Sequence, residues 1–143
     1  MSDCTVLLVD DEVDFVEVLS DRLEARGLSV VKAHSGEQAL AAAEGKVFDA
    51  IVLDMAMPGM DGLETLEGLL NINPDLQVIL LTGKATLEQA ATAIRIGALD
   101  LMEKPAAIDT LVSKIEMAAT RRWSLEEKRI ELKVADIMRK KGW

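Results

Sequence analysis

At 143 residues, half of them hydrophobic, the chain has the length of one domain with a short appendage, and it can bury a core without a disulfide or metal staple. Two Trp, two Phe and no Tyr leave that core to aliphatic side chains. The net charge of −9 is uneven: residues 1–119 carry 8 Lys and Arg against 21 Asp and Glu, and residues 120–143 carry 8 against 4. An acidic body repels nucleic acid, and the bases of the tail are interleaved with acids in the manner of a solvated helix face, so no nucleic-acid partner is expected.

No apolar run approaches the roughly 18 residues of a membrane span, and the N-terminus lacks the basic and apolar regions of a signal peptide. Cys4 has no second cysteine to pair with. It reads as a small, partly buried side chain rather than a thiol nucleophile, and a reducing, cytoplasmic setting is the expectation.

In chain order, Thr5–Val9 is a short apolar run read as a buried strand, and it ends at Asp10, Asp11 and Glu12. From Val13 the period changes: Phe15, Val18, Leu19 and Leu23 recur at helical spacing, with Gly27 as a stop. Residues 28–33 read as a second strand, and Ser35 with Gln38 has capping-box spacing ahead of an Ala-rich helix to Glu44. Residues 48–54 form the third strand, and Asp61 with Glu64 opens a helix that Asn71–Pro74 ends. Strand four is 77–81, a helix capped by Thr86 and Gln89 runs to about Ile96 with Gly97 as its stop, and strand five is 99–102. A final helix follows Lys104 and Pro105.

Five strands alternating with five helices predict a parallel sheet covered on both faces: a flavodoxin-like, doubly wound α/β fold of order 2-1-3-4-5. Such sheets bind ligands beyond their strand C-termini, at the switch point between strands one and three. Asp54 ends an unalternating apolar run and is followed by the turn residues Pro58, Gly59 and Gly62. Taken alone, it reads equally as an N-cap or turn former. The other strand ends supply Asp10, Asp11, Thr82 and Lys104 at the same edge. Clustered carboxylates without His or Cys make a hard-oxygen site that favours Mg²⁺. With a fixed lysine charge and a hydroxyl, the set suits phosphoryl transfer, and a carboxylate, Asp54 by position, is the nucleophile.

Asp10-Asp11, Asp54 with Met57-Pro58-Gly59-Met60-Asp61-Gly62, Thr82, and Gly97-Ala98 leading to Lys104-Pro105 closely resemble the receiver domains of two-component response regulators, over roughly residues 6–119. The resemblance implies that Asp54 accepts a phosphoryl group from the phosphohistidine of a sensor histidine kinase or a histidine phosphotransfer protein. It implies direct Mg²⁺ ligation by Asp11, Asp54 and the Ala56 backbone carbonyl, with Asp10 acting through water. Thr82 would hydrogen-bond the phosphoryl oxygens and Lys104 would pair with them. Such a protein is a phosphoacceptor with autophosphorylation and autodephosphorylation activity rather than an enzyme with an external substrate.

Two departures from that family's pattern involve three positions. Leu101 stands where an aromatic residue usually precedes the lysine by three, so the usual ring-coupled switch has no ring to bury or expose. Ala56 and Lys84 occupy the positions that tune phosphoryl lifetime in this family. Ala56 cannot position an attacking water, and Lys84 either reaches the phosphoryl group or is a solvated loop lysine; slow autodephosphorylation is expected. His34 reads as a partly exposed loop residue away from the acids. Met55, Met57 and Met60 read as loop packing, with a docking surface as the alternative.

The receiver is expected over residues 1–120 and a helical extension over 121–143. In the extension Trp123, Ile130, Val134 and Ile137 form an apolar seam of coiled-coil type. Ser124 with Glu127 fits a capping box, so a fresh helix is one expectation there. A dimerisation helix, a helix folded back on the body and a linker toward a further domain are the three readings of the segment. With no room for a DNA-binding or catalytic domain, output would be contact with a downstream protein target. A pseudo-receiver that is never phosphorylated, the receiver fragment of a larger transcriptional regulator, and an aspartyl-phosphate phosphatase of the haloacid dehalogenase type are the alternatives. The last wants an acid where Ala56 stands.

Overall fold

The computed structural model describes residues 4–84 and 86–142; the outermost ends of the two expected segments, residues 1–3 and Trp143, lie outside them. Ten elements alternate: β1 (Thr5–Val9), α1 (Val13–Glu24), β2 (Ser29–Ala33), α2 (Gly36–Gly45), β3 (Ala50–Asp54), α3 (Gly62–Ile72), β4 (Val78–Thr82), α4 (Leu87–Ile96), β5 (Asp100–Glu103) and α5 (Ile108–Lys140). The strands pair in parallel in the order β2-β1-β3-β4-β5, as the alternation predicts.

The central strands β3 and β4 are buried throughout, which is why their sequences show no polar alternation. Their side chains still alternate between two cores. Val6, Leu8, Ala50, Val52, Ile79 and Leu81 face α1 and α5, packing on Val16, Leu19, Leu23, Leu111 and Ile115. Leu7, Val9, Ile51, Leu53, Val78 and Leu80 face the other helices, packing on Ala39, Leu66, Leu69 and Ala93. The edge strand β5 is only half-buried, in keeping with its shorter and more polar sequence.

The helix starts follow their caps. Asp61 and Glu64 form a complete capping box at α3, as do Thr86 and Gln89 at α4. At α2 only half of the expected box forms. Ser35 accepts from the Gln38 N–H at 3.1 Å, but the Gln38 side chain accepts from the His34 N–H instead of that of Ser35.

One expectation is overturned: no fresh helix starts at Ser124, because α5 runs unbroken for 33 residues. Propagating an existing helix adds one hydrogen bond per residue fixed, whereas a new start must repeat nucleation, and no Gly or Pro occurs before Gly142 to force a stop. The extension is also tied to the base of the sheet. Arg122 and the Trp123 indole N–H both donate to Asp49 just ahead of β3, and Arg129 pairs with Asp75 just ahead of β4. Among the described residues, no helix is long and apolar enough to cross a membrane.

Candidate functional site

The parallel register decides which side chains meet. Val9 pairs with Leu53 across β1 and β3, so the chain leaves the sheet with Asp10 and Asp54 side by side. Asp54 pairs with Leu81 across β3 and β4, which sets Thr82 one residue beyond on the neighbouring strand. Lys104 follows β5, and its N–H donates to the Thr82 carbonyl at 2.7 Å, so its stem starts beside Thr82.

From there the Lys104 ammonium reaches across the strand ends. It lies 2.7 Å from Asp10 Oδ2, 3.3 Å from Asp54 Oδ1 and 3.2 Å from Glu12 Oε1. The ring centroid of Phe15, in the first turn of α1, lies 4.4 Å from the same nitrogen. Asp10 is further fixed by accepting the Glu12 N–H at 2.9 Å through Oδ1. Ligand oxygens of Asp10, Asp11 and Asp54 all lie within 4.8 Å of one another. Asp10 and Asp54 are buried and Asp11 is partly exposed, which leaves one side of the trio open to solvent.

This packing is electrostatically costly. Burial first, and then the neighbouring Asp10 charge, push the Asp54 carboxyl up to about 6, against the opposing pull of Lys104 and a hydrogen bond from the Ala56 N–H. Burial alone would lower the Lys104 pKa, but hydrogen bonds and charges from Asp10, Asp54 and Glu12 outweigh it and hold the ammonium above the ordinary lysine value. The carboxylates of Asp10, Asp11, Glu12 and Asp54 thus outnumber the one ammonium. A hard divalent ion taking oxygen ligands fits both the donor set and the charge imbalance.

The acceptor loop is folded tightly against the strand end. The Gly62 N–H donates to the Met55 carbonyl at 2.9 Å. A Cβ at Gly62 would come 2.5 Å from Met55 Cα and 2.7 Å from the Asp54 carbonyl oxygen, so only glycine allows this approach. Met55 and Met57 are buried and Met60 is half-buried, in keeping with loop packing.

Of the tuning positions, Thr82 is buried and its Oγ1 accepts the Lys84 N–H at 3.2 Å, leaving its own proton to donate elsewhere. Lys84 is exposed, and Ala56 is exposed at the mouth. Leu101 is half-buried against the core under α2, α3 and α4, on the sheet face from which Leu80 projects. His34 departs from expectation. Although it sits on the edge strand's exit, its ring Nδ1 lies 3.2 Å from the Asp10 carbonyl oxygen, so it borders the acidic cluster rather than lying away from it.

Sequence reasoning placed Glu12 and Phe15 in the right elements and missed their contact with Lys104. The adjacency of Glu12 to the two aspartates was the available signal for the first. For Phe15, helical spacing announced only a core position.

The Response regulator receiver domain family matches residues 6–116. The transcriptional regulatory protein ZraR of Escherichia coli (strain K12) is 35% identical over 121 residues, covering 85% of this chain and 27% of its own length. The C4-dicarboxylate transport transcriptional regulatory protein DctD of Rhizobium meliloti (strain 1021) is 36% identical over 125 residues, covering 87% and 27%. The chain thus spans about a quarter of the length of these curated relatives.

Among solved structures, a CheY-like receiver domain protein from Methanospirillum hungatei JF-1 superposes with TM-score 0.80 at 28% identity, covering 85% of this chain and 97% of that one. A response regulator from Burkholderia pseudomallei, solved with a phosphorylated aspartic acid, calcium ion and citrate, gives 0.76 at 26%, covering 98% and 86%. With the sheet order, the strand-end acids and these matches together, the chain belongs to the response regulator receiver domains of two-component signalling.

Proposed function

We propose that Asp54 is the phosphoacceptor of this receiver, charged by a sensor histidine kinase or a histidine phosphotransfer protein. The observation that carries this reading is the placement of the Lys104 ammonium between Asp10 and Asp54, beside an acidic trio that is open on one side. In the transfer, an Asp54 carboxylate oxygen forms a bond to phosphorus as the N–P bond of phosphohistidine breaks, and the electron pair returns to the imidazole nitrogen. Lys104 then pairs with the phosphoryl oxygens, and the Thr82 hydroxyl donates to one of them.

Mg²⁺, held by Asp11, Asp54 and the Ala56 carbonyl and through water by Asp10, would supply the charge neutralisation that phosphoryl oxygens need. The Burkholderia relative, solved with a phosphorylated aspartate and a divalent cation, supports this assignment. The test is incubation with Mg²⁺ and acetyl phosphate, read by intact mass. Wild type gains about 80 Da, the mass of one phosphoryl group, and Asp54→Asn gains nothing. Absence of the adduct and of Mg²⁺ binding would mean a pseudo-receiver, and turnover of unrelated phosphoesters would mean a phosphatase.

Autodephosphorylation is slow in this reading, because Ala56 offers no side chain to orient water and the exposed Lys84 stands beside Thr82. Lys84→Ala is expected to shorten the lifetime of the adduct by a factor of about three, the effect of losing one partly screened charge contact. A wild-type lifetime of seconds that lengthens in Lys84→Ala would exclude a protective lysine.

Output is contact with a downstream protein, in the cytoplasm. In this reading the Thr82 hydroxyl moves toward the phosphoryl group, and with Leu101 in place of a ring that movement is reported by aliphatic repacking against Leu80 and its neighbours. The exposed end of α5 supports a homodimer. Ile130 is 57% exposed and Ile137 is 44% exposed, and with Val134 they keep the heptad spacing that suits a second copy of the same helix. Light scattering of the full chain is expected to give the dimer mass, and Ile130→Gln with Ile137→Gln the monomer mass. A monomer mass for the full chain would remove the dimer, and a dimer mass for the variant would remove this seam as its interface.

A further inference from the structure

Lys104 is the only cation among the described residues that touches the acidic trio, and most of its partners cannot hold it constantly. Its four-carbon stem is flexible, and a lysine ammonium is a point charge with no preferred plane. In the reading proposed above, Asp10 and Asp54 are engaged by the divalent ion, and Asp54 then becomes an aspartyl phosphate, so both ion pairs change during the reaction. Glu12 is 66% exposed at its side chain, a solvent-screened partner.

The remaining neighbour is different in kind. Phe15 presents its ring 4.4 Å from the ammonium and is partly buried against the core shared by α1 and α5. An aromatic face attracts a cation through its quadrupole, does not titrate and cannot ligate the metal. Its packing against that core uses neither Asp54 nor any of the carboxylates that would hold the ion.

We propose that Phe15 is a positioning residue for phosphoryl transfer: its ring seats the Lys104 ammonium at the strand ends in the metal-free, metal-bound and phosphorylated protein alike, so that the charge meets the incoming phosphoryl group without a rotamer search. The inference rests on the receiver reading for its chemistry and on the ring contact alone for its geometry. The step it assists with acetyl phosphate is attack of an Asp54 oxygen on phosphorus, with the bond to acetate breaking and acetate leaving with the electron pair.

The experiment compares Phe15→Leu and Phe15→Tyr in the full chain, alone and with Lys104→Ala. The first readout is NMR of selectively labelled lysine, in which ring current shifts the Lys104 Hε resonance upfield; that resonance is identified by its loss in Lys104→Ala. The second is the rate of adduct formation from acetyl phosphate, alongside Mg²⁺ affinity by calorimetry. Phe15→Leu is expected to lose the upfield shift and to slow adduct formation about fivefold with Mg²⁺ affinity unchanged, as removal of one partly desolvated cation–π contact requires. Phe15→Tyr keeps both properties, and Phe15→Leu adds nothing once Lys104 is alanine.

Persistence of the shifted resonance in Phe15→Leu would overturn the contact. Equal slowing by Phe15→Leu with and without Lys104 would reduce Phe15 to a packing residue and overturn the proposal. A wild-type chain that took no adduct would instead defeat the receiver reading, while the resonance would still decide whether the ring seats the lysine.

Discussion

Asp54→Asn is expected to make the metal-free protein more stable at pH 7.5, by about 2 kcal/mol, or roughly 4–8 °C in Tm for a domain of this size. Burial and the Asp10 charge raise the Asp54 carboxyl from 3.8 to about 6. The unfolded chain therefore releases this proton about two units earlier than the folded one. Between those values the folded state binds more protons, so stability falls as pH rises through about 4 to 6 and stays lost above that. Two units correspond to about 3 kcal/mol at 1.36 kcal/mol each, discounted here because the open side of the trio lets water screen the pair. Asparagine keeps an acceptor for the Ala56 N–H and carries no charge, while Lys104 retains Asp10 and Glu12. Calorimetry in chelator at pH 7.5 and pH 4 checks this: the variant should melt above wild type at the higher pH, with the gap closing at the lower. Equal melting at pH 7.5 would mean that the acidic cluster is not strained. Mg²⁺ should raise the wild-type Tm and move the Asn variant less, because the ion removes the same repulsion that the substitution removes.

The legible part of this molecule is what local sequence and parallel topology dictate together. Asp10, Asp54, Thr82 and Lys104 could be placed at one edge from sequence because every strand of an all-parallel sheet exits on the same side. The strand starts were less legible. Leu28 and Phe48 read as the first residues of β2 and β3 because they are apolar; they are buried, yet they precede the ladder, since burial and strand pairing are separate demands. At the other ends, β4 includes Thr82 and β5 includes Glu103, polar residues that sequence patterning assigns to loops. The Ser124 cap signal lost to helix propagation, a contest that a local motif cannot report. The contact of Phe15 with Lys104 joins residues 89 positions apart, and nothing in helical spacing distinguishes a core ring from one lying under an ammonium.

Asp49→Ala is expected to cost about 3 kcal/mol, the loss typical when one partner of a buried pair is removed and the other is left uncompensated. Oδ2 of Asp49 accepts the Thr5 N–H at 2.8 Å, and Oδ1 accepts Arg122 Nε at 3.0 Å and Trp123 Nε1 at 2.9 Å. The Asp49 side chain is 9% exposed and that of Arg122 17%, so water replaces few of these bonds when the carboxylate is deleted. At roughly 2–4 °C per kcal/mol, Tm should drop by about 6–12 °C. Asp49→Asn retains an acceptor oxygen and should lose about half as much, whereas Arg122→Met, which removes the cation and keeps an apolar stem, should be milder than Asp49→Ala. The consequence extends to the output end of the protein. Asp49 ties α5 to the first residue of β1 at the base of the sheet, while Leu111 and Ile115 of the same helix pack on strands that lead to Asp10 and Asp54. The tie fixes the base of the extension to the body. Without it, amides beyond residue 122 should exchange with solvent faster than those before it, as the extension frays independently. Hydrogen exchange along α5 in Asp49→Ala measures this directly, and uniform protection on both sides of Arg122 would show that helix propagation and the Arg129–Asp75 pair hold the extension without Asp49.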